Sequence, residues 1–167
     1  ARILRRLVED APGATAVREL YGLTLYRQGK YRQAIKELEA FRLTTGSVEQ
    51  HPVLADCYRA LERWSEVDEL WDELKAASPS AELVVEGRIV TAAARADRGD
   101  LRDALALLSQ GWKMPKRAQV HHLRRAYALA DLMERAGEVA RARELFGWLV
   151  GQDPDFADAK RRMRQLR

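Results

Sequence analysis

Four stretches of the sequence share one pattern, and this internal repeat limits the folds that the chain can adopt. They read GKYRQAIKEL (29–38), ERWSEVDELW (62–71), GDLRDALALL (99–108) and GEVARARELF (137–146). A small or β-branched residue at the sixth place is followed by a large apolar residue at the tenth: Ala34 and Leu38, Val67 and Trp71, Ala104 and Leu108, Ala142 and Phe146. Successive sixth-place residues are 33, 37 and 38 positions apart, a period that is typical of stacked helical hairpins.

Apolar residues recur with helical spacing along almost the whole chain, and no segment convincingly alternates apolar and polar residues as a strand does. Turn-forming residues divide the sequence into helical runs of roughly 10–18 residues. The breaks fall at Pro12-Gly13, Gly29, Gly46, residues 62–65, Pro79, Gly99-Asp100, Pro115, Gly137 and Pro154. The sequence therefore predicts an all-α protein of about nine or ten helices.

The repeat resembles the tetratricopeptide repeat family, which has a Leu-Gly-like pair and a Tyr on the first helix and Ala-x3-Phe on the second. The copy LYGLTLYRQGKYRQAIKEL (20–38) fits best, with Tyr21-Gly22 at the pair and Ala34 and Leu38 on the second helix. The third copy is irregular, because Thr91-Ala92 takes the pair and the polar Arg95 stands where an aromatic residue is usual. The resemblance covers essentially the whole chain and implies a right-handed α-solenoid of stacked antiparallel helix pairs.

The resemblance also implies how the chain is divided. We expect one domain over residues 1–167, in which residues 1–12 are the second helix of a preceding repeat and residues 155–167 a capping helix. The repeats between them are repeat 1 (15–48), repeat 2 (49–80), the irregular repeat 3 (81–115) and repeat 4 (116–154). Because the sequence begins with Ala1 rather than Met, we expect further residues upstream.

Small residues at the predicted helix contacts allow helix axes to approach closely, and bulky residues fill the gaps between layers. Each hairpin is too small to bury its apolar face alone, so it must stack on its neighbours. Trp64 and Trp71 are predicted to pack in this core, and Trp148 is predicted to cover the capping helix. The predicted small positions are Gly22, Ala34, Ala55, Ala92, Ala104, Ala130 and Ala142.

Charge is distributed unevenly along the chain, whose net charge is +4. Residues 37–86 hold 12 acidic and 4 basic side chains, a net of −8, whereas residues 113–167 hold 13 basic and 7 acidic, a net of +6. The basic tail AKRRMRQLR (159–167) is typical of the solvated face of a cap. Nucleic-acid binding would usually add exposed aromatic residues or a known reading motif, and neither is evident in the tail.

The sequence shows no set of residues suited to catalysis, and it predicts neither a cofactor nor a metal site. His51, His121 and His122 are expected in solvent or at helix starts, since adjacent histidines on a helix point about 100° apart. Cys57 has no suggested base nearby and is expected to be a packed thiol. A lone cysteine excludes an internal disulfide and favours a reducing compartment. We therefore predict a cytoplasmic protein, not an enzyme, with no membrane-spanning run.

Trp112 lies in the irregular link QGWKMPKR (110–117), beside a methionine and three cations. One interpretation is a docking hook for a peptide or a phosphate-bearing ligand. The other is a plug that covers the long junction between repeats 3 and 4, and we favour the plug.

By the same resemblance, first-helix residues outside the packing positions line a concave groove. We predict a bacterial adaptor or scaffold that binds a segment of a partner protein there, with Tyr26 and Tyr127 as anchors and Arg124 and Arg135 holding acidic groups. The carboxylate clamp of some chaperone-binding relatives is absent, because the chain has no Asn and has Glu19 and Leu23 at matching places. The predicted groove residues are Glu19, Leu23, Tyr26, Arg27, Asp56, Arg59, Glu86, Ile89, Ala93, Arg124, Tyr127, Asp131 and Arg135.

Three alternatives remain open at this point. The basic C-terminal half could serve a nucleic-acid-associated or regulatory repeat domain. The chain could be a regulatory appendage of a larger protein. The groove could be filled by an upstream segment of the same protein or by a second copy in a homo-oligomer.

Overall fold

Ten helices and no strand are found in the computed structural model, which describes residues 1–11 and 13–166. The prediction of an all-α fold is confirmed. The predicted break at Pro12 and the end of the predicted capping segment at Arg167 lie outside the described residues. The helices are α1 (Arg2–Asp10), α2 (Thr15–Arg27), α3 (Tyr31–Thr45), α4 (His51–Ala60), α5 (Trp64–Ala77), α6 (Ala81–Asp97), α7 (Leu101–Ser109), α8 (Val120–Arg135), α9 (Val139–Gln152) and α10 (Ala159–Gln165).

The helices form two compact units, unit 1 (Ala1–Val90) and unit 2 (Thr91–Arg167). In unit 1, consecutive helices from α1 to α5 pack against each other. In unit 2, α7 packs against α8, α8 against α9 and α9 against α10. This neighbour-to-neighbour packing is what helical hairpins need in order to bury apolar faces that none of them could bury alone.

Four tight turns share one backbone geometry. In each turn, an N–H bonds back to the carbonyl five residues earlier, as from Lys30 to Leu25 at 3.0 Å and from Glu138 to Met133 at 2.8 Å. This is the bond of a Schellman cap, which requires a residue with positive φ after the helix. Gly29, Gly99 and Gly137 fill that position in three turns, but Glu62 fills it with φ 58° in the turn between α4 and α5.

The core lies at the positions that the repeat predicts. The sixth-place residues Ala34, Val67, Ala104 and Ala142 are at most 1% exposed, and the tenth-place residues Leu38, Trp71, Leu108 and Phe146 are at most 4% exposed. Trp64 differs from its predicted role as a core residue, because it is only half-buried. The reason is its position as the first residue of α5, where part of the ring faces solvent.

Two glycines mark close approaches between helices in unit 1. A Cβ atom added to Gly22 of α2 would lie 2.7 Å from Cγ and Cδ2 of Leu38 on α3, so the predicted close contact at this small position is confirmed. A Cβ atom added to Gly87 of α6 would overlap Leu74 Cδ2 on α5. The sequence analysis missed Gly87, although a glycine inside a helix costs about 1 kcal/mol and therefore signals a packing requirement.

Candidate functional site

The predicted groove residues of unit 1 lie mainly on one face of α2 and on α4. Glu19, Leu23, Tyr26 and Arg27 share a face of α2, because positions four, seven and eight residues after Glu19 lie on the same side of a helix with 3.6 residues per turn. Glu19, Leu23 and Tyr26 are half-buried, while Arg27 at the end of the helix is exposed. The surface is thus acidic at Glu19, largely apolar at Leu23 and Tyr26, and cationic at Arg27.

Three of these predicted residues form a polar cluster in unit 1. The Tyr26 hydroxyl donates a hydrogen bond of 2.7 Å to Asp56 Oδ2, and Arg59 Nε donates one of 2.8 Å to Asp56 Oδ1. Burial, together with the hydrogen bond and the negative charge of Asp56, raises the pKa of Tyr26. The hydroxyl of this predicted anchor therefore already joins α2 to α4, and the residue as a whole is half-buried.

A second contact joins the same two helices. Gln50 Nε2 donates a hydrogen bond of 2.7 Å to Glu19 Oε1, and Gln50 is the residue that precedes α4. The partner residues in these α2–α4 contacts are 30 or 31 positions apart, close to one repeat period. Glu19 and Asp56 are thus used to hold successive first helices in register.

In unit 2, the predicted anchor Tyr127 is also used within the fold. Its hydroxyl donates a hydrogen bond of 2.6 Å to Asp158 Oδ1, directly before α10, and Arg161 also donates to Asp158. Burial and the bond to Asp158 raise the pKa of Tyr127. The bond from Tyr127 is the largest influence that holds the pKa of Asp158 below its usual value, with Arg161 and Arg162 of α10 adding to it.

Arg162 completes this cluster by binding carboxylates on α8. Its guanidinium donates to Asp131 Oδ1 at 2.8 Å and to Glu134 Oε2 at 2.6 Å. The same group lies 4.7 Å from the centre of the Phe146 ring and 5.6 Å from that of Tyr127. Burial acts to lower the pKa of Arg162, but its hydrogen bonds to Tyr127 and the two carboxylates outweigh it and raise the pKa. We refer to Tyr127, Asp131, Glu134, Asp158 and Arg162 as the cap cluster.

The remaining predicted groove residues differ in exposure. Arg124 and Arg135 of α8 are exposed, three turns apart on the helix. Glu86, Ile89 and Ala93 of α6 are half-buried. The structure therefore brings Tyr26, Asp56 and Arg59 together in unit 1, and Tyr127 and Asp131 in unit 2. It leaves the three arginines Arg27, Arg124 and Arg135 on the surface.

Trp112 packs inside unit 2. Its ring centre lies 5.8 Å from that of Trp148 in an edge-to-face arrangement, and the Arg125 guanidinium lies 5.5 Å from the ring on another side. Arg125, which sequence reasoning did not single out, also donates to the carbonyl oxygens of Leu108 and Gln110. The indole thus joins the α7–α8 link to α9, an arrangement that a plug requires.

The side chains considered for catalysis or metal binding, Cys57, His51 and His122, take part in packing or hydrogen bonds within the fold. Cys57 is fully buried, and burial with the neighbouring Asp56 carboxylate raises the pKa of its thiol to about 12, so the thiol is protonated at neutral pH. His51 begins α4 as expected, but it is buried rather than solvated and lies 2.8 Å from a carboxylate oxygen of Glu73. His122 accepts a hydrogen bond from the Gln119 N–H at the start of α8.

The described ranges hold neither a metal site nor a membrane span. In residues 1–11 and 13–166, no group of three or more His, Cys, Asp or Glu side chains is arranged to hold a metal ion. None of the helices in that part of the chain is both long and apolar enough to cross a membrane.

Comparisons with known proteins identify the fold. The family model described as anaphase-promoting complex, cyclosome, subunit 3 matches residues 2–70. Among solved structures, the chain is similar to a thermophilic TPR (tetratricopeptide repeat) protein of Thermus thermophilus, with 18% sequence identity and a TM-score of 0.73. That match covers 99% of this chain and 87% of the other, and it shows that the fold is that of a TPR solenoid. A comparison with curated proteins gives no match.

Proposed function

We propose that this chain is a member of the tetratricopeptide repeat family, which its repeat pattern, its fold and the family match support, and that it is a non-catalytic adaptor or scaffold. The family is in general one of protein-interaction modules. The proposal goes further, because it gives the binding surface as the face of the first helices and the ligand as a segment of another protein.

The observation that carries the proposal is the surface of α2. Leu20 is 54% exposed, Leu23 is half-buried, and Arg27 is exposed on the same side of the helix, three and seven residues after Leu20. A helix on the surface of a protein normally keeps its apolar residues on the buried side. An exposed leucine and a half-buried one beside an arginine suit a partner segment that inserts apolar side chains and carries an acidic group.

In unit 2, the corresponding proposal rests on α8. Arg124 and Arg135 are exposed and separated by roughly 16 Å along the helix axis. We expect these arginines to hold acidic groups of the partner. Tyr26 and Tyr127 contribute their ring faces only, because their hydroxyls are bound to Asp56 and Asp158.

A matched pair of leucine substitutions tests the α2 surface. Leu20 lies on a first helix, whereas Leu43 lies on the second helix α3 and is 78% exposed. Proteins retained from a bacterial lysate would be quantified by mass spectrometry for wild type, Leu20→Glu and Leu43→Glu. We expect a partner that is lost with Leu20→Glu and retained with Leu43→Glu. Loss only with Leu43→Glu would place binding on the second helices and contradict the proposal.

The basic tail gives less support to nucleic-acid binding. Arg161 and Arg162 are engaged with Asp158, Asp131 and Glu134, so part of the positive charge of α10 is neutralised within unit 2. Salt titration of the captured complex separates the two functions. Binding to phosphates falls steeply as salt rises, whereas apolar contacts with a peptide respond modestly. We further propose that the protein works in the reducing cytoplasm, because its lone cysteine is a buried free thiol.

A further inference from the structure

The link between α7 and α8, residues 110–119, is fixed by contacts within unit 2 and is more than a simple turn. It is held at three places within unit 2. The Arg125 guanidinium donates to Leu108 O at 2.7 Å and to Gln110 O at 2.6 Å, and the Trp112 ring packs on Trp148. The Ala118 N–H donates to Gln152 Oε1 at 3.2 Å. Because the link is fixed in this way, its outward side chains are presented at defined positions.

The link lies in a segment that carries positive charge only. Residues 104–130 contain five Lys and Arg residues and no Asp or Glu. Lys113, Lys116 and Arg117, all within the link, are exposed. Three neighbouring cations in a segment without acidic residues create a local positive potential that favours an acidic ligand.

Apolar side chains lie among these cations. Met114 is 45% exposed and Val120, the first residue of α8, is 67% exposed. Methionine is flexible and polarizable and adapts well to the shape of a bound side chain. A fixed link that combines exposed cations with exposed aliphatic groups therefore offers both charge and apolar area to a ligand. We refer to Lys113, Met114, Lys116, Arg117 and Val120 as the link surface.

We propose that the link surface binds an acidic segment of a partner protein that carries aliphatic side chains. The positive charges orient the segment and speed its association, and burial against Met114 and Val120 supplies affinity. A protein ligand fits better than a nucleic acid, because the exposed apolar groups are aliphatic and the Trp112 ring is packed against Trp148 and Arg125 rather than presented for base stacking. This surface is distinct from the α2 surface, so either can fail without the other.

The test uses a fluorescent peptide of roughly twelve residues in which two acidic residues and one leucine alternate, measured by fluorescence anisotropy at physiological salt. Replacing the leucines by serine gives a probe of equal charge without apolar groups. We expect the leucine peptide to bind the wild-type chain at least about fivefold more tightly than the serine peptide, because only the former buries apolar area. Absence of binding, or equal binding of the two peptides, overturns the proposal.

Variants of the link surface locate the binding. Charge reversal of Lys113, Lys116 and Arg117 to Glu should weaken binding of the leucine peptide by at least about tenfold. Met114→Ser with Val120→Ser, both exposed, should weaken it by about fivefold without altering the fold. Thermal melts confirm that each variant is folded.

A control reversal carries the same change in charge on unit 1. It replaces the exposed Lys30, Arg32 and Lys36 by Glu and should change the affinity by less than about twofold. An equal loss in the control would show that net charge alone governs binding and would overturn the proposal. Tighter binding of a single-stranded oligonucleotide of equal charge, or of anionic phosphatidylserine vesicles, than of the peptide would also overturn the proposal. Self-association that the link variants abolish would identify a second copy as the occupant and would also overturn it.

Discussion

The two units join neighbouring layers by the same hydrogen bond but with different amounts of apolar support. In unit 1 the Tyr26 hydroxyl binds Asp56 of α4, a helix that also buries Leu54, Ala55, Cys57 and Tyr58. In unit 2 the Tyr127 hydroxyl binds Asp158 before α10, a helix of seven residues in which Ala159 is the buried one. The tyrosine–aspartate hydrogen bond thus supplements a large apolar contact at α4, whereas it makes up a larger part of the attachment of α10.

Arg162 contributes to the attachment of α10 much as the buried apolar residues contribute to that of α4. Its guanidinium packs over Phe146 and binds Asp131 and Glu134 at the same time, which a planar group with several donors can do. The comparison indicates that the short helix α10 is fixed largely by a polar cluster, whereas α4 relies on apolar burial.

The largest expected effect comes from the apolar core of unit 1. Leu38 is fully buried and lies against Gly22, which has no side chain to fill a cavity. We expect Leu38→Ala to reduce the free energy of unfolding by about 3 kcal/mol, measured by urea denaturation. Trp71→Ala should have an effect of similar size. Losses within error of zero at both positions would mean that the core is wrongly assigned.

The second prediction concerns Arg162, whose loss should detach α10. Its carboxylate partners are more than a third exposed and can be solvated after the substitution, so the cost is below that of breaking a buried ion pair. We expect Arg162→Met to reduce stability by about 1.5 kcal/mol. In hydrogen exchange, the amides of α10 should lose protection while those of α4 keep theirs.

Arg164→Met is the matched control for this change. Arg164 lies on the same helix but is exposed, so its replacement should leave the exchange of α10 unchanged. If both substitutions release α10 equally, helical charge rather than the cap cluster holds it. If neither does, apolar contact of Ala159 is sufficient and the contrast between the units is lost.

A smaller effect is expected at the turns, where the α4–α5 turn of unit 1 differs from the three turns that have glycine. Gly99 and Gly137 have positive φ in unit 2, but in unit 1 the same position between α4 and α5 is Glu62, a residue with a Cβ atom. We expect Glu62→Gly to raise the free energy of unfolding by about 1 kcal/mol. Gly137→Ala should lower it by a similar amount. Destabilisation by Glu62→Gly would mean that the Glu62 side chain stabilises the turn more than its backbone conformation costs.

The sequence was sufficient to predict the repeat core, because burial follows the spacing of small and large residues. It did not predict Gly87 as a contact, since the third copy is irregular. It did not predict that Trp64 is only half-buried, since the repeat pattern does not record where a helix begins. Both positions depend on the local geometry of neighbouring helices rather than on residue type.

The candidate site was harder to predict than the core. First-helix residues outside the packing positions were assigned to the groove as if they had no other role. Yet Tyr26 and Arg59 are both bound to Asp56. Tyr127 is bound to Asp158, and Asp131 is bound to Arg162. A signal was available, because the pairs that join different helices, Tyr26 with Asp56, Tyr127 with Asp158 and Asp131 with Arg162, are 30 or 31 residues apart. Pairing of opposite charges at that separation could have identified Arg162 as the partner of Asp131.

The smallest expected effect is that of Tyr127→Phe, which tests the contribution of the Tyr127 hydroxyl to the cap cluster. Tyr127→Phe removes the donor to Asp158 and keeps the ring that packs near Phe146. Because Asp158 is partly exposed, we expect a loss of only about 0.5 kcal/mol at neutral pH. Tyr26→Phe, the same change in unit 1, should leave α4 protected in hydrogen exchange, whereas Tyr127→Phe should reduce the protection of α10.

The effect of Tyr127→Phe should also depend on pH, with a sign fixed by Asp158. The folded-state pKa of Asp158 lies below its usual value of about 3.9, so its bonds add stability above that pH and lose it as the pH falls through the folded-state pKa. The difference in stability between wild type and Tyr127→Phe should therefore shrink below about pH 4. In a double-mutant cycle with Asp158→Asn, this dependence should disappear. A difference that is equally large at neutral and at acidic pH would show that Tyr127 stabilises α10 through its ring position rather than through the bond to the carboxylate.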